Sequence, residues 1–507
     1  MLFSGNRDLW VLQTMLLINI TGNHLGKRVD HEMSDILQGV MVTLARRNSV
    51  IFEDNAPLVG KHRSTSNDEA KWHDWIKRES IKRFAHLIFI NDTQHACVFG
   101  HQGVMSVWEM KVTMPCSDAL WTAPNAQEWR RIMSEERKAR SQDSQSPALL
   151  DIVTAFVSPN PDTSPVDPQT VPLDGLGLYS VLHGIFSVAW HHRNRNIPQH
   201  WANIMQIKVE NESTIDDGGW LLSALHAWKA RYNMFWQTAH YPMGYQPPSG
   251  MWSPPFRMAA AAIYDLACIW IQAPIADIQM AAGLHFANGR ATSKQRAQQS
   301  WARVTKIALN DDVCYHGLNL VEAELLYKNE ATGQPGLHSY LTDPSYPLFM
   351  PFLAYLGGLV LWTFTLNLEP STYQMSQRNL VAHGQTSFHG EPYGVSEYSR
   401  NTSSLTGASE HFPDITDDTD VIRTLREHLT LSPENADNPR QGVFSKTPPT
   451  AAAVAAGYAA LPDTSVRQTL FKQGIDILLS HLKVQLEGHR WEIATEGFEI
   501  LQGTTNT

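Results

Sequence analysis

Three clusters in this 507-residue chain have side chains of the type that does chemistry. Asp417-Asp418-Thr419-Asp420 carries carboxylates of the kind that hold a magnesium ion against a diphosphate. It follows no apolar helix, and no second Asn/Ser/Glu motif comes after it at helical spacing, so helix capping or plain solvation is its reading. His183, His191, His192 and His200 offer imidazoles but lack a carboxylate partner and the i, i+4 pair of a helical zinc site. Cys97, Cys116, Cys268 and Cys314 are too scattered for a metal knuckle and too few for a disulfide framework, so each reads as a small buried apolar group in a reducing compartment. There is no G-x-S-x-G nucleophile elbow and no G-x-x-x-x-G-K phosphate loop. These patterns assign no catalytic residue and no metal ligand.

Charge and aromatic density peak instead between Lys71 and Trp129. Trp72, Trp75, Ile76, Phe84, Leu87 and Ile88 recur at helical spacing, with Lys77, Arg78, Lys82 and Arg83 between them, which predicts one amphipathic helix. The periodicity lapses after Asn91-Asp92. A turn-prone passage then runs through Glu109 to Met114-Pro115-Cys116, and Ser117-Asp118 can cap a second helix at Ala119-Leu120-Trp121. Glu79 and Arg83 stand i, i+4 apart, a spacing that yields a few tenths of a kcal/mol on a helix surface. If Arg83 instead reaches Asp92 or Glu109, a bidentate bond locks the helix to its loop.

The order of residues in this stretch resembles a known family. W-x-x-W-I-x-x-E-S-x-x-R is followed by N-D, then W-E, then M-P-C-x-x-x-L-W-x-A, and closes on E-W. It is similar to the signature of the fungal-specific transcription factor domain, the middle homology region of many zinc-finger fungal regulators. The matching residues are Trp72, Trp75, Ile76, Glu79, Ser80, Arg83, Asn91, Asp92, Trp108, Glu109, Pro115, Cys116, Leu120, Trp121, Ala123, Glu128 and Trp129. The helices around Leu9–Ile20 and Glu32–Arg47, the phrase Leu182-His183-Gly184, and the ending Trp491–Leu501 resemble the family too.

The resemblance implies an all-α regulatory module, acting in the nucleus between a DNA-reading zinc finger and the transcriptional machinery. Zinc is expected only in that finger, upstream of this chain, so no cofactor is expected here. The expected partners are co-regulators, DNA through a separate DNA-binding domain, and a small-molecule effector. Control of a metabolic pathway, secondary-metabolite clusters included, is the implied role. The competing reading is an all-α enzyme or small-molecule binder of the terpene-cyclase kind.

Composition agrees with a large helical interior. Hydrophobic residues make up 43% and there are 16 tryptophans, enough to build one. The formal charge is −10 with no dense Lys/Arg run, so the chain lacks the footprint of a domain that grips phosphates. Leu9–Ile20 lacks a cleavage site, and the uncharged Leu348–Leu366 is broken by Pro351 and Gly357-Gly358 and lacks basic flanks, so both read as core helices and no membrane partner is expected.

The expected fold is an all-α array of packed antiparallel helices with disordered polar inserts. Its divisions are a first helical half at 1–140, a flexible linker at 141–172, a second half at 173–367, a polar insert at 368–449 and closing helices at 450–507. Leu9–Ile20, apolar on nearly every side, is expected to lie buried between other helices.

Overall fold

The structure is a computed structural model, and it describes residues 9–47, 68–139, 146–158, 166–168, 171–194, 219–238, 254–282, 286–287, 290–291, 294–305, 311–326, 346–368, 421–423, 425–426 and 464–487. These residues form an all-α array. Its only strands among the described residues are a two-residue antiparallel pair, Phe286–Ala287 with Arg290–Ala291.

Helices α1 (Leu9–Leu25) and α2 (Arg28–Arg47) make a tight hairpin. Asp30 Oδ2 accepts the Lys27 amide at 2.9 Å and so caps the start of α2. α1 buries Leu12, Leu16, Asn19, Asn23 and His24, but Trp10, Leu17 and Ile18 are exposed. The expectation that α1 is enclosed on all sides is therefore corrected, because an all-round apolar helix reports that burial is favourable without supplying a neighbour for every face. α2 has a matching exposed row at Val29, Met33, Ile36 and Val40.

α3 (Asp68–Cys97) carries the signature and runs past Asn91-Asp92, the predicted end, by one and a half turns. Asn91, Asp92, Thr93 and His95 are buried, and polar residues facing partners on neighbouring segments break the apolar period without breaking the helix. A 3-10 turn at Val107–Glu109, the short α4 (Asp118–Trp121) and α5 (Ala126–Ala139) follow. Ser117 Oγ accepts the Leu120 amide at 3.2 Å, so the predicted cap is present.

The stretch 141–172, expected to be a flexible linker, contains α6 (Leu149–Val157), with Leu149, Ile152, Val153 and Phe156 buried. Six prolines spread over 141–172 hid this nine-residue apolar run, which contains none of them. α6 packs on α7 (Gly175–Asn194) at Gly184, where an added Cβ would strike the Val153 side chain. α7 also packs on α3, linking the two halves through one apolar core.

The second half continues through α8 (Gly219–Thr238), α9 (Pro254–Gln272), α10 (Ile275–Ala281), α11 (Lys294–Val304), α12 (Asp311–Leu325) and α13 (Met350–Leu368), and α14 (Thr464–Glu487) closes the array. α13, the uncharged stretch, is buried along almost its whole length against α9, α12 and α14. No single described helix is long and apolar enough to cross a membrane. Within the expected polar insert, residues 421–423 and 425–426 are helical, and Val421, Ile422 and Leu425 are buried. The remainder of that insert, Asp417-Asp418-Thr419-Asp420, His200 and the closing Trp491–Leu501 lie outside the described residues.

Candidate functional site

The signature side chains meet in three polar junctions, two on α3 and one on the chain that follows it. In the first, Trp75 packs against Trp121 and Trp129 with ring centroids 6.4 and 5.7 Å away, pinning α4 and α5 to the start of α3. One turn on begins the ion pair Glu79–Arg83. Its surface reading fails, since Glu79 is 3% and Arg83 8% exposed. Arg83 Nε stands 3.3 Å from Glu79 Oε1, its Nη2 donates to the Cys116 carbonyl at 3.2 Å, and its guanidinium lies 4.6 Å over the Trp121 ring. Glu79 Oε1 in turn accepts the Cys116 amide at 2.9 Å. The pair thus grips both backbone groups of Cys116, whose thiol is pushed up by burial and the Glu79 carboxylate and stays a poor nucleophile.

Arg83 does not reach Asp92 or Glu109, the partners expected from sequence. Its further acidic neighbour is Asp118, with Oδ1 at 3.6 Å from Nη2. Spacing along a helix settles the reason: Asp92 lies nine residues, or two and a half turns, beyond Arg83 and projects elsewhere.

In the second junction Asn91 Nδ2 donates to Asn19 Oδ1 and to Gln38 Oε1, both at 2.8 Å. Gln38 Nε2 donates to Asp92 Oδ1 at 3.0 Å. Asp92 Oδ2 also accepts the Met105 amide at 2.7 Å and the Val104 amide at 3.1 Å. Burial pushes the Asp92 carboxyl up, and these bonds from Gln38, Met105 and Val104 pull it back. α1, α2, α3 and the chain after α3 are sewn together here by one network.

Glu109 forms the third. Arg46 holds it with Nε and Nη2 at 2.8 Å each and gives a further bond to the Val104 carbonyl at 2.7 Å. The lock by a bidentate arginine exists, but the arginine is Arg46 of α2. Of the other signature residues, Trp72 lies tilted against His73 with ring centroids 5.2 Å apart, and Ser80 and Pro115 are half-buried. Sequence reasoning read Asp118 only as a helix cap and did not single out Asn19, Gln38, Arg46 or Asp174 for these junctions. Asn19 and Asn23, four residues apart and so on one face of a largely apolar helix, were the signal available for the first of these.

Asp118 lies close to Asp174, at the start of α7, and each buried carboxyl bears on the protonation of the other. Burial, then the neighbouring Asp174, pushes Asp118 up to about 8, with Arg83 opposing. A folded-state value above the unfolded one means the fold holds a proton that the unfolded chain releases. The stabilisation is complete below about pH 4 and is lost as pH rises toward about 8. Asp118→Asn is uncharged at every pH. Its melting temperature relative to the natural chain is expected to climb between pH 5 and pH 8, and parallel melting profiles would contradict a raised Asp118 carboxyl.

His183, His191 and His192 lie along α7 and form no metal-type cluster among the described residues. His183 is structural: Nδ1 pairs with the Tyr179 carbonyl at 2.7 Å and Nε2 with Gln94 Nε2 at 3.1 Å, so the proton sits on Nδ1. None of the three junctions sets an activated nucleophile beside a base. Their chemistry is to hold five helices and two loops in one arrangement.

Residues 1–213 match the family described as the fungal specific transcription factor domain, a span that contains all three junctions. Among curated proteins, the chain is 24% identical to zinc finger protein klf1 of Schizosaccharomyces pombe over 71% of its length and 42% of that protein's. It is 25% identical to the nicotinate catabolism cluster-specific transcription factor of Emericella nidulans, over 70% of this chain and 38% of the relative. Zinc finger protein zas1 of Schizosaccharomyces pombe is 23% identical over 78% and 42%. The chain thus spans about two fifths of the length of these relatives. No solved structure matches it.

Proposed function

Because residues 1–213 carry a fungal specific transcription factor domain, we propose that this chain is the regulatory helical body of a fungal transcription regulator and that it controls a metabolic pathway. The observation that carries this reading is the set of junctions on α3 and the chain that follows it. The acids and the buried arginine that an enzyme would direct at a substrate are directed here at backbone amides and carbonyls of the same chain. Such a body transmits or restrains activation through its folded surface.

DNA is reached through a separate DNA-binding domain, since a chain of formal charge −10 is poorly suited to phosphates. Two relatives bear zinc finger in their names, and a third is named for a catabolic gene cluster, which supports both parts of the proposal. Co-regulators and the transcriptional machinery are the expected partners, with a small-molecule effector as a further one, and the nucleus is the place of action.

The test is a reporter assay in a fungal host, with the whole chain fused to an unrelated DNA-binding domain. A several-fold change in reporter output relative to the DNA-binding domain alone is expected, in either direction. Output equal to that control, from a fusion that is expressed and melts cooperatively, would remove the proposal.

A further inference from the structure

The end of α3 and the turn beyond it bring together donor atoms that the junctions do not use. α3 stops at Cys97, and Gly100 adopts φ 73°, a left-handed conformation that reverses the chain at little steric cost. The His101 amide then donates to the His95 carbonyl at 3.4 Å. This turn lays the His101 ring on that of His95, with centroids 4.4 Å apart and planes inclined by 12°.

Asp35 of α2 faces both rings. Its Oδ1 lies 3.8 Å from His95 Nε2 and its Oδ2 3.7 Å from His101 Nδ1. Both separations are too long for a hydrogen bond. His95 is 2% exposed, and its buried Nε2 has no hydrogen-bond partner. An imidazole nitrogen left so is costly, and a cation is one group that would satisfy it. His31 supplies the orienting contact: its Nε2 is 3.1 Å from His101 Nε2, which occupies that side of the ring and leaves Nδ1 toward Asp35.

We propose that Asp35, His95 and His101 form a binding site for a divalent transition cation, Zn²⁺ by ligand chemistry, with His31 orienting His101 and a fourth position open to water. The three ligand atoms lie within 4.8 Å of one another. A tetrahedral zinc ion with ligand bonds of about 2.0–2.2 Å sets its ligands roughly 3.3–3.5 Å apart and in the plane of each imidazole, so the His101 ring must turn out of its stack on His95 to close the site. Two imidazoles and one carboxylate suit zinc, whereas magnesium and calcium call for oxygen ligands. Asp35 is 49% exposed, which gives an ion access from solvent. The bound ion ties α2 to the C-terminal turn of α3, one turn beyond Asn91. The sequence reading placed zinc only outside this chain. It missed this set because the ligands are 60 and 6 residues apart, spacings that match no linear motif.

The experiment uses the whole chain, stripped with chelator and desalted, then titrated with zinc chloride in a calorimeter. Cobalt(II) absorption serves as a second readout of coordination. One equivalent of Zn²⁺ should bind and raise the melting temperature by a few degrees. Asp35→Asn and His101→Gln should each weaken zinc binding at least about tenfold; the metal-free melting curve should be preserved in Asp35→Asn, whose side chain is 49% exposed. His73→Gln, which alters an exposed histidine elsewhere on α3, should bind zinc as the natural chain does. The proposal falls if the natural chain takes up no zinc beyond what the metal-ligand variants retain. It falls equally if either variant matches the natural chain in affinity. In both cases the site is a packed cluster of neutral histidines.

Discussion

Replacing Arg83 by Ala is expected to destabilise the protein by about 3–5 kcal/mol, the cost of stranding one partner of a buried ion pair. Glu79, 3% exposed, would keep only Lys82, whose Nζ is 3.7 Å from Oε2, and the Cys116 amide. The Cys116 carbonyl would lose its donor and Trp121 the cation over its ring. Melting should shift down by several degrees, and an unaltered melting curve would sink the interpretation. Arg83→Lys keeps the charge, but a single ammonium cannot serve Glu79, the Cys116 carbonyl and the Trp121 face together, so an intermediate loss is expected. Adding Glu79→Gln to Arg83→Ala should recover part of the loss, because it removes the stranded carboxylate. A double variant worse than the sum of the two singles would place the stabilisation elsewhere.

The second large effect is expected at Gly357→Ala. α12 and α13 are the most extensively packed helix pair, and they cross where Gly317 faces Gly357. A Cβ on Gly357 would lie 2.6 Å from the Gly317 carbonyl oxygen and 3.0 Å from Leu320 Cβ. The first obstacle is backbone, so the helices must separate rather than a side chain rotate. Forcing them apart exposes or loosens contacts along a nearly wholly buried helix, at a cost on the order of 1–3 kcal/mol or more. Calorimetric or denaturant unfolding measures it, and a gain in stability from Ala's better helix propensity would show that the crossing has room to spare. Gly358, the adjacent residue, shows why composition did not reveal this: a Gly-Gly pair reads as a weakness in a helix until the neighbouring backbone is in place.

Much of the helical framework was legible in the chain. The segments from Trp220 to Trp236 and from Asp463 to Leu486 repeat apolar residues every three or four positions, and α8 and α14 coincide with them within a few residues. Ser117 marked the start of α4 because capping is a local hydrogen bond. Boundaries failed where polar residues are buried, as at Asn91-Asp92, and where disorder-prone flanks outweighed a short apolar run, as at α6. Periodicity registers side chains that avoid water, and a buried Asn or Asp with protein partners looks like one that seeks it.

The signature residues show the same division. The sequence by itself determined that the body is helical, and its resemblance to a family picked out Glu79, Arg83, Asn91, Asp92 and Glu109 as signature residues. Only the tertiary structure decided the longer-range pairings: Arg83 with Cys116 and Asp118, Asp92 with Gln38 and the amides of Val104 and Met105, and Glu109 with Arg46. Helix formation depends on neighbours within four residues, which a sequence displays directly. The direction in which a buried polar side chain finds its partner depends on the helices brought against it. Those partners lie 12 to 63 positions away along the chain for Asp92 and Glu109, and their approach is set by the packing of the apolar core.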